Sequence, residues 1–254
     1  MGPLEPLAYQ MALDELLLEG AGACARPTLR IYRVDPPGLS LGWFQTLADV
    51  PAAKGMQHVS RRLTGGGAIH HGAELTFALA APKEHPAYLG PVADSYARVH
   101  TLLAAALRPF GIDAELRGAR PLASDAAGTG MCFQESSALD LVWPRAGDGA
   151  LAKGVGSAQR RRGGRVLHHG SIKLADDPFE PGVATADAAG TSVRFDDLAA
   201  ALLEVFARVW ELAPQPEPPD AALDARARSL AVSYGDRAAL QSRPGRDTPR
   251  VPEA

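Results

Sequence analysis

The sequence predicts an α+β fold, a mixed and mostly antiparallel sheet with flanking helices packed on one side of it. Three observations carry that prediction. Amphipathic stripes at helical spacing occur near the start, the middle and the end of the chain. The stretches between them read as short apolar runs separated by turn residues. The strict alternation of strand and helix that marks a parallel α/β sheet is missing, and no strand-like run leads into GxGxxG or GxxxxGK[ST], so neither a dinucleotide fingerprint nor a P-loop is present.

The first helix is expected over Leu7 to Glu19, where Ala8, Met11, Ala12 and Leu16 fall on one stripe behind Pro6. From Thr28 to about Ala81 the runs LRIYRV, LSLGWF and LTFALAA are punctuated by Pro36-Pro37-Gly38 and Gly65-Gly66-Gly67, the texture of strands and tight turns. Helical spacing returns between Val92 and Leu107, with Gly111 as a C-cap beyond Phe110. A strand is expected over Ile112 to Leu116, then a small-residue loop over Pro121 to Gly130. Further strands are expected at Ala138 to Trp143, Lys153 to Gln159 and Arg165 to Leu174. Phe195 to Leu212 is the clearest helix, with Leu198, Leu202, Val205, Phe206 and Val209 on one face and Asp196 and Asp197 in the first turn, where the helix dipole favours anions. From Gln241 the chain has almost nothing apolar to bury. One catalytic-size domain over residues 1–240 followed by a disordered tail over 241–254 is the expected organisation.

Composition narrows the function. The 254 residues carry 29 acidic and 26 basic side chains, a formal net charge of −3, so no broad basic field for nucleic acid or a membrane surface is expected. The densest like-charge run is Arg160-Arg161-Arg162. The richest apolar stretch, Leu198 to Leu212, is broken by Glu204, Arg208 and Glu211 and falls short of the roughly 18 residues of a spanning helix. MGPLEPLAYQ lacks the basic and apolar regions of a secretory signal, which makes the cytoplasm the expected location. Two cysteines, Cys24 and Cys132, do not build a disulfide scaffold.

Three segments have the composition of a site. In RRLTGGGAIHHG, from Arg61 to Gly72, three glycines let backbone approach an anion or an acyl chain, though a hairpin turn has the same composition. In KGVGSAQ, Lys153 is one of only four lysines, and a compact ammonium beside small residues can donate to a carbonyl or phosphate oxygen. The alternative is a solvated strand-end lysine. In GTGMCFQESS, Cys132 suits a thiolate nucleophile if a cation such as Lys153 lies near it, and equally suits a small buried hydrophobe. Cys24 has no polar company and is assigned to packing. His70-His71 and His168-His169 invite a metal, but neighbours on a strand face opposite ways and no HExxH or CxxC accompanies them, so no metal site is expected. No GxSxG marks a serine hydrolase.

Taken in order, RRLTGGGAIHHGAELTFAL and KGVGSAQRRRGGRVLHHGSIKL resemble the paired signature of the lipoyl and biotinyl attachment family, which includes lipoate-protein ligases and octanoyltransferases. MALDELLL and LRIYRVDPPGLSLGWFQ extend the resemblance over roughly Leu7 to Leu212. It implies a biotinyl-lipoyl ligase-like catalytic domain of the class II synthetase type, whose mixed sheet holds an acyl chain. It also implies catalytic roles for Cys132 and Lys153. Substrate-binding roles carry over to Arg62, Thr64, Gly65, Gly66, Gly67 and His71, and to Gly156, Ser157, Ala158, Gln159, His169 and Gly170.

Within the family, CFQESSALDLVW resembles octanoyltransferases, in which a cysteine-phenylalanine pair supplies the nucleophile, more than ligases with an arginine-asparagine pair there. The implied activity is ping-pong transfer of an octanoyl group from acyl carrier protein, through a Cys132 thioester, to a lysine of a lipoyl carrier. The implied acceptors are the glycine cleavage H protein or a 2-oxoacid dehydrogenase E2 domain. This route implies no cofactor and no metal. The alternatives are an ATP- and Mg-dependent lipoate-protein ligase, an octanoyl or lipoyl amidotransferase, and an acyl-binding paralogue without turnover. The sequence departs from the octanoyltransferase pattern at Ala138, Leu139 and Asp140, where an aromatic and a glutamate are usual, and at His168, where a glutamine is usual.

Overall fold

The computed structural model of the chain describes residues 4–21, 26–145, 147–187 and 192–244. A six-stranded antiparallel sheet runs in the order β1 (Thr28–Tyr32), β5 (Glu74–Pro82), β9 (Arg165–Lys173), β8 (Leu151–Arg162), β7 (Leu141–Pro144), β6 (Glu115–Leu116). A smaller sheet sets β2 (Gly38–Leu41) between β3 (Val59–Arg61), parallel to it, and β4 (Ile69–His71), antiparallel to it. The mixed, mostly antiparallel character expected from the sequence is present.

The helices, however, cover both faces of the large sheet. On one face Leu75, Phe77 and Leu79 of β5 pack with Val155 and Ile172 against Val99 and Leu103 of α2 (Val92–Leu107) and Leu198 and Leu202 of α3 (Phe195–Val209). On the other, Tyr32, Ala78 and Leu167 pack against Leu7, Met11 and Ala12 of α1 (Leu7–Gly20). β5 is apolar at both parities, with Phe77 and Ala78 each fully buried, so a layer on each side is what its sequence requires.

α4 (Ala221–Tyr234), which the sequence reading omitted, backs α1, where Tyr9, Leu13 and Leu16 meet Ala227. Its apolar residues are mostly alanines interrupted by Asp224, Arg226 and Arg228, so the stripe is faint. The Asp220 carboxylate accepts from the Leu223 N–H at 2.7 Å and starts it. Enclosure between sheet and α4 explains why α1 buries Gln10, Asp14 and Glu15 along with its apolar stripe.

The strand expected over Lys153 to Gln159 extends to Leu151–Arg162, and three further boundaries differ from expectation. α3 ends at Val209 rather than Leu212, with Glu211 at φ 52° turning the chain left-handed. The strand after Gly111 contracts to Glu115–Leu116. Residues 138–140 form a turn before β7, in which the Ser137 N–H donates to Asp140 Oδ2. The tail begins anchored: Arg61 donates to the carbonyls of Ala239, Leu240 and Ser242, and Arg243 pairs with Asp49. Residues 245–254 and Cys24 lie outside the described residues. No helix among the described residues is long and apolar enough to cross a membrane.

Candidate active site

The glycine run is where the small sheet reaches the cysteine. Ala68 and Met131 form a parallel bridge, the Cys132 N–H donates to the Ala68 carbonyl at 2.7 Å, and the Ala68 N–H donates to Gly130 at 2.7 Å. A Cβ on Gly67 would lie 2.7 Å from the Cys132 nitrogen and 2.9 Å from its Cα, so only glycine permits this contact. Among the three glycines Gly66 alone has a positive φ, 88°. The run is thus a backbone-approach element more than a hairpin turn.

Lys153 comes from β8, opposite Val142 of β7, and is only 1% exposed. Its Nζ donates to the Cys132 carbonyl at 2.6 Å, lies 3.5 Å from Cys132 Sγ, and pairs with Asp140 Oδ2 at 2.8 Å. Gly156 makes the room: a Cβ there would meet Lys153 Cε at 2.9 Å and Sγ at 3.2 Å. Burial opposes the charge on Lys153, but the Cys132 sulfur and the Asp140 carboxylate outweigh it and hold the group above the ordinary lysine value. Phe133, next in sequence to the thiol, has its ring centroid 5.3 Å from Lys153 Nζ and 5.0 Å from Lys173 Nζ.

Arg62 organises the rest. Its guanidinium donates to Thr64 Oγ1 (3.1 Å), the Ser40 carbonyl (3.2 Å) and the carbonyls of Gly65 (2.7 Å) and Gly67 (2.6 Å). These acceptors are all uncharged, and burial pulls the guanidinium below its ordinary value, with the Cys132 sulfur opposing it. Thr64 Oγ1 is 2.6 Å from His169 Nε2, whose Nδ1 is 3.0 Å from Asp14. Because the Asp14 carboxylate can only accept, His169 Nδ1–H donates to it, and the Nε2 of the neutral ring accepts the Thr64 hydroxyl. Burial pulls the His169 value down despite the Asp14 carboxylate, in keeping with that neutral tautomer. A parallel arrangement joins His71 Nε2 to Ser40 Oγ at 2.8 Å and Nδ1 to Glu74 at 2.6 Å.

Arg62, Gly66, His71 and Cys132 line one narrow cavity of about 30 Å³. Ser157, Ala158, His169 and Gly170 complete its wall beside Met11 and Tyr32. Lys153 stands behind the thiol, Thr64 is buried behind His169, and Gly65 and Gly67 act through their backbone. Gln159 is not in the cavity: it hydrogen-bonds Ser95 of α2 and His168 on the opposite face. A larger open concavity near Arg145, Asp148 and Asp176 contains neither Cys132 nor Lys153.

The sequence reading missed several polar residues of the site. Asp140 appeared there only as a departure, although an acid eight residues after a candidate thiol was a signal. Asp14 and Glu74 gave none, since each is buried only once the sheet is assembled. His168 now has a place: its Nε2 is 2.9 Å from Ser157 Oγ, which lies 2.6 Å from His100 Nε2. Lys173 pairs with Glu74, Asp177 and Glu180 at 3.3, 2.8 and 2.6 Å and supplies that cluster's cation. Among the described residues no group of His, Cys, Asp and Glu side chains could hold a metal ion.

An antiparallel sheet with helices on both faces and a small mixed sheet beside it, enclosing a cavity next to a cysteine and a lysine, has the architecture of a lipoate-protein ligase catalytic fold. Protein Ta0514 of T. acidophilum, solved with bound lipoic acid, superposes at a TM-score of 0.71 with 19% identity, over 95% of this chain and 100% of that one. Lipoate-protein ligase A bound with ATP gives 0.68 and 20%, over 92% and 98%. The chain belongs to the lipoyl protein ligase A/B catalytic domain family, whose model matches residues 6–180. It is 41% identical over 178 residues to octanoyltransferase LipM of Moorella thermoacetica, and 35% identical over 182 residues to that of Kyrpidia tusciae. Those matches cover 66% and 67% of this chain and 63% of each relative, so the chain spans less than two thirds of their length.

Proposed function

We propose that the protein is an octanoyltransferase that passes an octanoyl group from acyl carrier protein, through a thioester on Cys132, to a lysine of a lipoyl carrier domain in the cytoplasm. The observation that carries this reading is the buried contact of Cys132 Sγ with Lys153 Nζ at 3.5 Å, on a wall of the cavity. An ammonium at that distance can donate to the sulfur and to negative charge that develops beside it during the reaction.

In the first half-reaction Sγ forms a bond to the thioester carbonyl carbon and the carrier's sulfur departs. In the second, the amine of the acceptor lysine forms the amide bond and Cys132 departs as thiolate. The Cys132 N–H is already bonded to Ala68, so the Lys153 N–H directed at Sγ is the donor best placed to turn toward a developing oxyanion. A thioester is already activated, so this route calls for no ATP. The site residues Arg62, Thr64, Gly65, Gly66, Gly67, His71, Gly156, Ser157, Ala158, His169 and Gly170 shape the acyl cavity in this reading, and Gln159 supports its wall from behind. The cavity of about 30 Å³ is narrow for an eight-carbon chain, so in this reading its apolar wall yields as the acyl group enters.

The test is intact-protein mass spectrometry after mixing with octanoyl-acyl carrier protein without ATP. A hydroxylamine-labile octanoyl adduct is expected on the wild type and absent from Cys132→Ala. An adduct retained in that variant, or none on the wild type, sinks the proposal.

A further inference from the structure

The geometry points to Asp140 as a positioning residue that fixes Lys153 as a permanent ammonium, so that the lysine stabilises charge but carries no proton during acyl transfer. An ammonium has three N–H donors. Here they are directed at the Cys132 carbonyl, the Asp140 carboxylate and the Cys132 sulfur, at 2.6, 2.8 and 3.5 Å. A general base needs a free lone pair facing the proton it takes, and this nitrogen offers none.

Asp140 is held from several sides. Its Oδ2 accepts the Ser137 N–H at 2.5 Å, and its carbonyl accepts the Arg117 N–H at 2.8 Å. The neighbouring Leu139 carbonyl lies 2.5 Å from His100 Nδ1, so α2 braces the turn that presents the carboxylate. The charged or titratable groups around Lys153 are Cys132 from the preceding loop, Asp140 from the turn, His100 from α2, and Lys173 of β9 beyond the Phe133 ring. Burial keeps His100 neutral, which leaves Asp140 as the carboxylate that offsets the cost of burying the ammonium.

The inference rests on the acyl-transfer reading for its kinetic consequence. In the first half-reaction the Cys132 thiolate forms the new carbon–sulfur bond and the donor thiolate leaves to be protonated by solvent. In the second, the neutral amine forms the carbon–nitrogen bond, Cys132 leaves as thiolate, and the surplus proton on nitrogen passes to solvent. No proton changes hands at Lys153 in either.

The chain has four lysines, Lys54, Lys83, Lys153 and Lys173. The whole protein carrying ¹³Cε-lysine therefore gives few enough signals to assign by one substitution each. Lys153 is expected to remain protonated past the ordinary lysine value of about 10.4. In Asp140→Asn it is expected to titrate about 1 to 3 pH units lower than in the wild type, and in Asp140→Glu to recover. The alkaline limb of Cys132 acylation by an octanoyl thioester is expected to move in step. Deprotonation of wild-type Lys153 below pH ~10.4 overturns the proposal without requiring any variant to fold, and so does an Asp140→Asn protein whose Lys153 titrates as in the wild type. If Cys132 takes no acyl group at any pH while Lys153 titrates as expected, the acyl-transfer reading fails and the assignment of Asp140 stands.

Discussion

Lys153 Nζ lies 2.6 Å from the carbonyl oxygen of Cys132 and 3.5 Å from the sulfur of the same residue, so a single ammonium grips both the thiol and the backbone that carries it. Removing it affects both. Lys153→Met leaves Asp140 buried without its cation, a change that costs about 3–5 kcal/mol. It also lowers acyl transfer by roughly 10² to 10³, the scale set by loss of one donor to a developing oxyanion. Denaturant melts should show the double variant Lys153→Met/Asp140→Leu to be more stable than Lys153→Met alone, because the orphaned carboxylate is gone. Equal stability of the two proteins would rule that explanation out.

Two glycine substitutions separate chemistry from folding. In Gly156→Ala the new methyl meets the flexible end of Lys153, at 2.9 Å from Cε, and the sulfur at 3.2 Å. A shift of a few tenths of an ångström at the end of the lysine relieves the contact while its pair with Asp140 is kept, so acylation of Cys132 should fall at least tenfold with a smaller loss of stability than in Gly67→Ala. In Gly67→Ala the methyl meets the Cys132 backbone at 2.7 and 2.9 Å, which no side-chain rotation relieves. There stability itself should drop, by about 1–3 kcal/mol. Parallel calorimetry and acylation assays check both.

His100 and His168 make stability depend on pH. Burial pushes His100 down to about 4 and holds His168 well below 6.5, so both are neutral in the folded protein near neutral pH. Between pH 6.5 and about 4 the unfolded chain binds protons that the folded chain refuses, and stability falls as pH falls through that window. The slope is about 1.4 kcal/mol per pH unit for each group. Urea melts of His100→Asn across this range should show a shallower slope than the wild type; an unchanged slope would show that His100 is not neutral in the fold.

Glu74 works in a lower window. Its burial favours the acid form, but His71 and Lys173 outweigh that and bring its value to about 2, against an ordinary 4.5. Its stabilising contribution is complete above 4.5 and is lost as pH falls through about 2. Glu74→Gln should therefore be less stable than the wild type at neutral pH, by about 3–5 kcal/mol. The gap should narrow on acidification toward pH ~2. A gap that persists there would point to packing rather than charge.

The parts of the site legible in the sequence were those with a compositional mark. Gly65-Gly66-Gly67 has the composition of either a hairpin turn or a close backbone approach, and in the fold Gly67 makes the approach, against Cys132. Lys153 was conspicuous because lysine is rare here, and Cys132 because it sits between a small-residue loop and a strand. Asp140 was visible only as a departure from a pattern. Gln159 carries a substrate-binding role only through the family resemblance, and in the fold its side chain bonds Ser95 of α2 and His168 while the adjacent Ala158 lines the cavity.

By itself the sequence determined the helices with strong stripes, the strand runs, and the segments where small residues leave room for a reaction, because period and side-chain volume are local properties of the chain. Only the tertiary structure decided that helices cover both faces of the sheet, that α4 exists to enclose α1, and that Asp14 and Glu74 reach His169 and His71. It also decided which N–H of Lys153 meets which oxygen. Those outcomes depend on burial and on distances of a few ångströms between residues far apart in the chain, and only the packed sheet sets them.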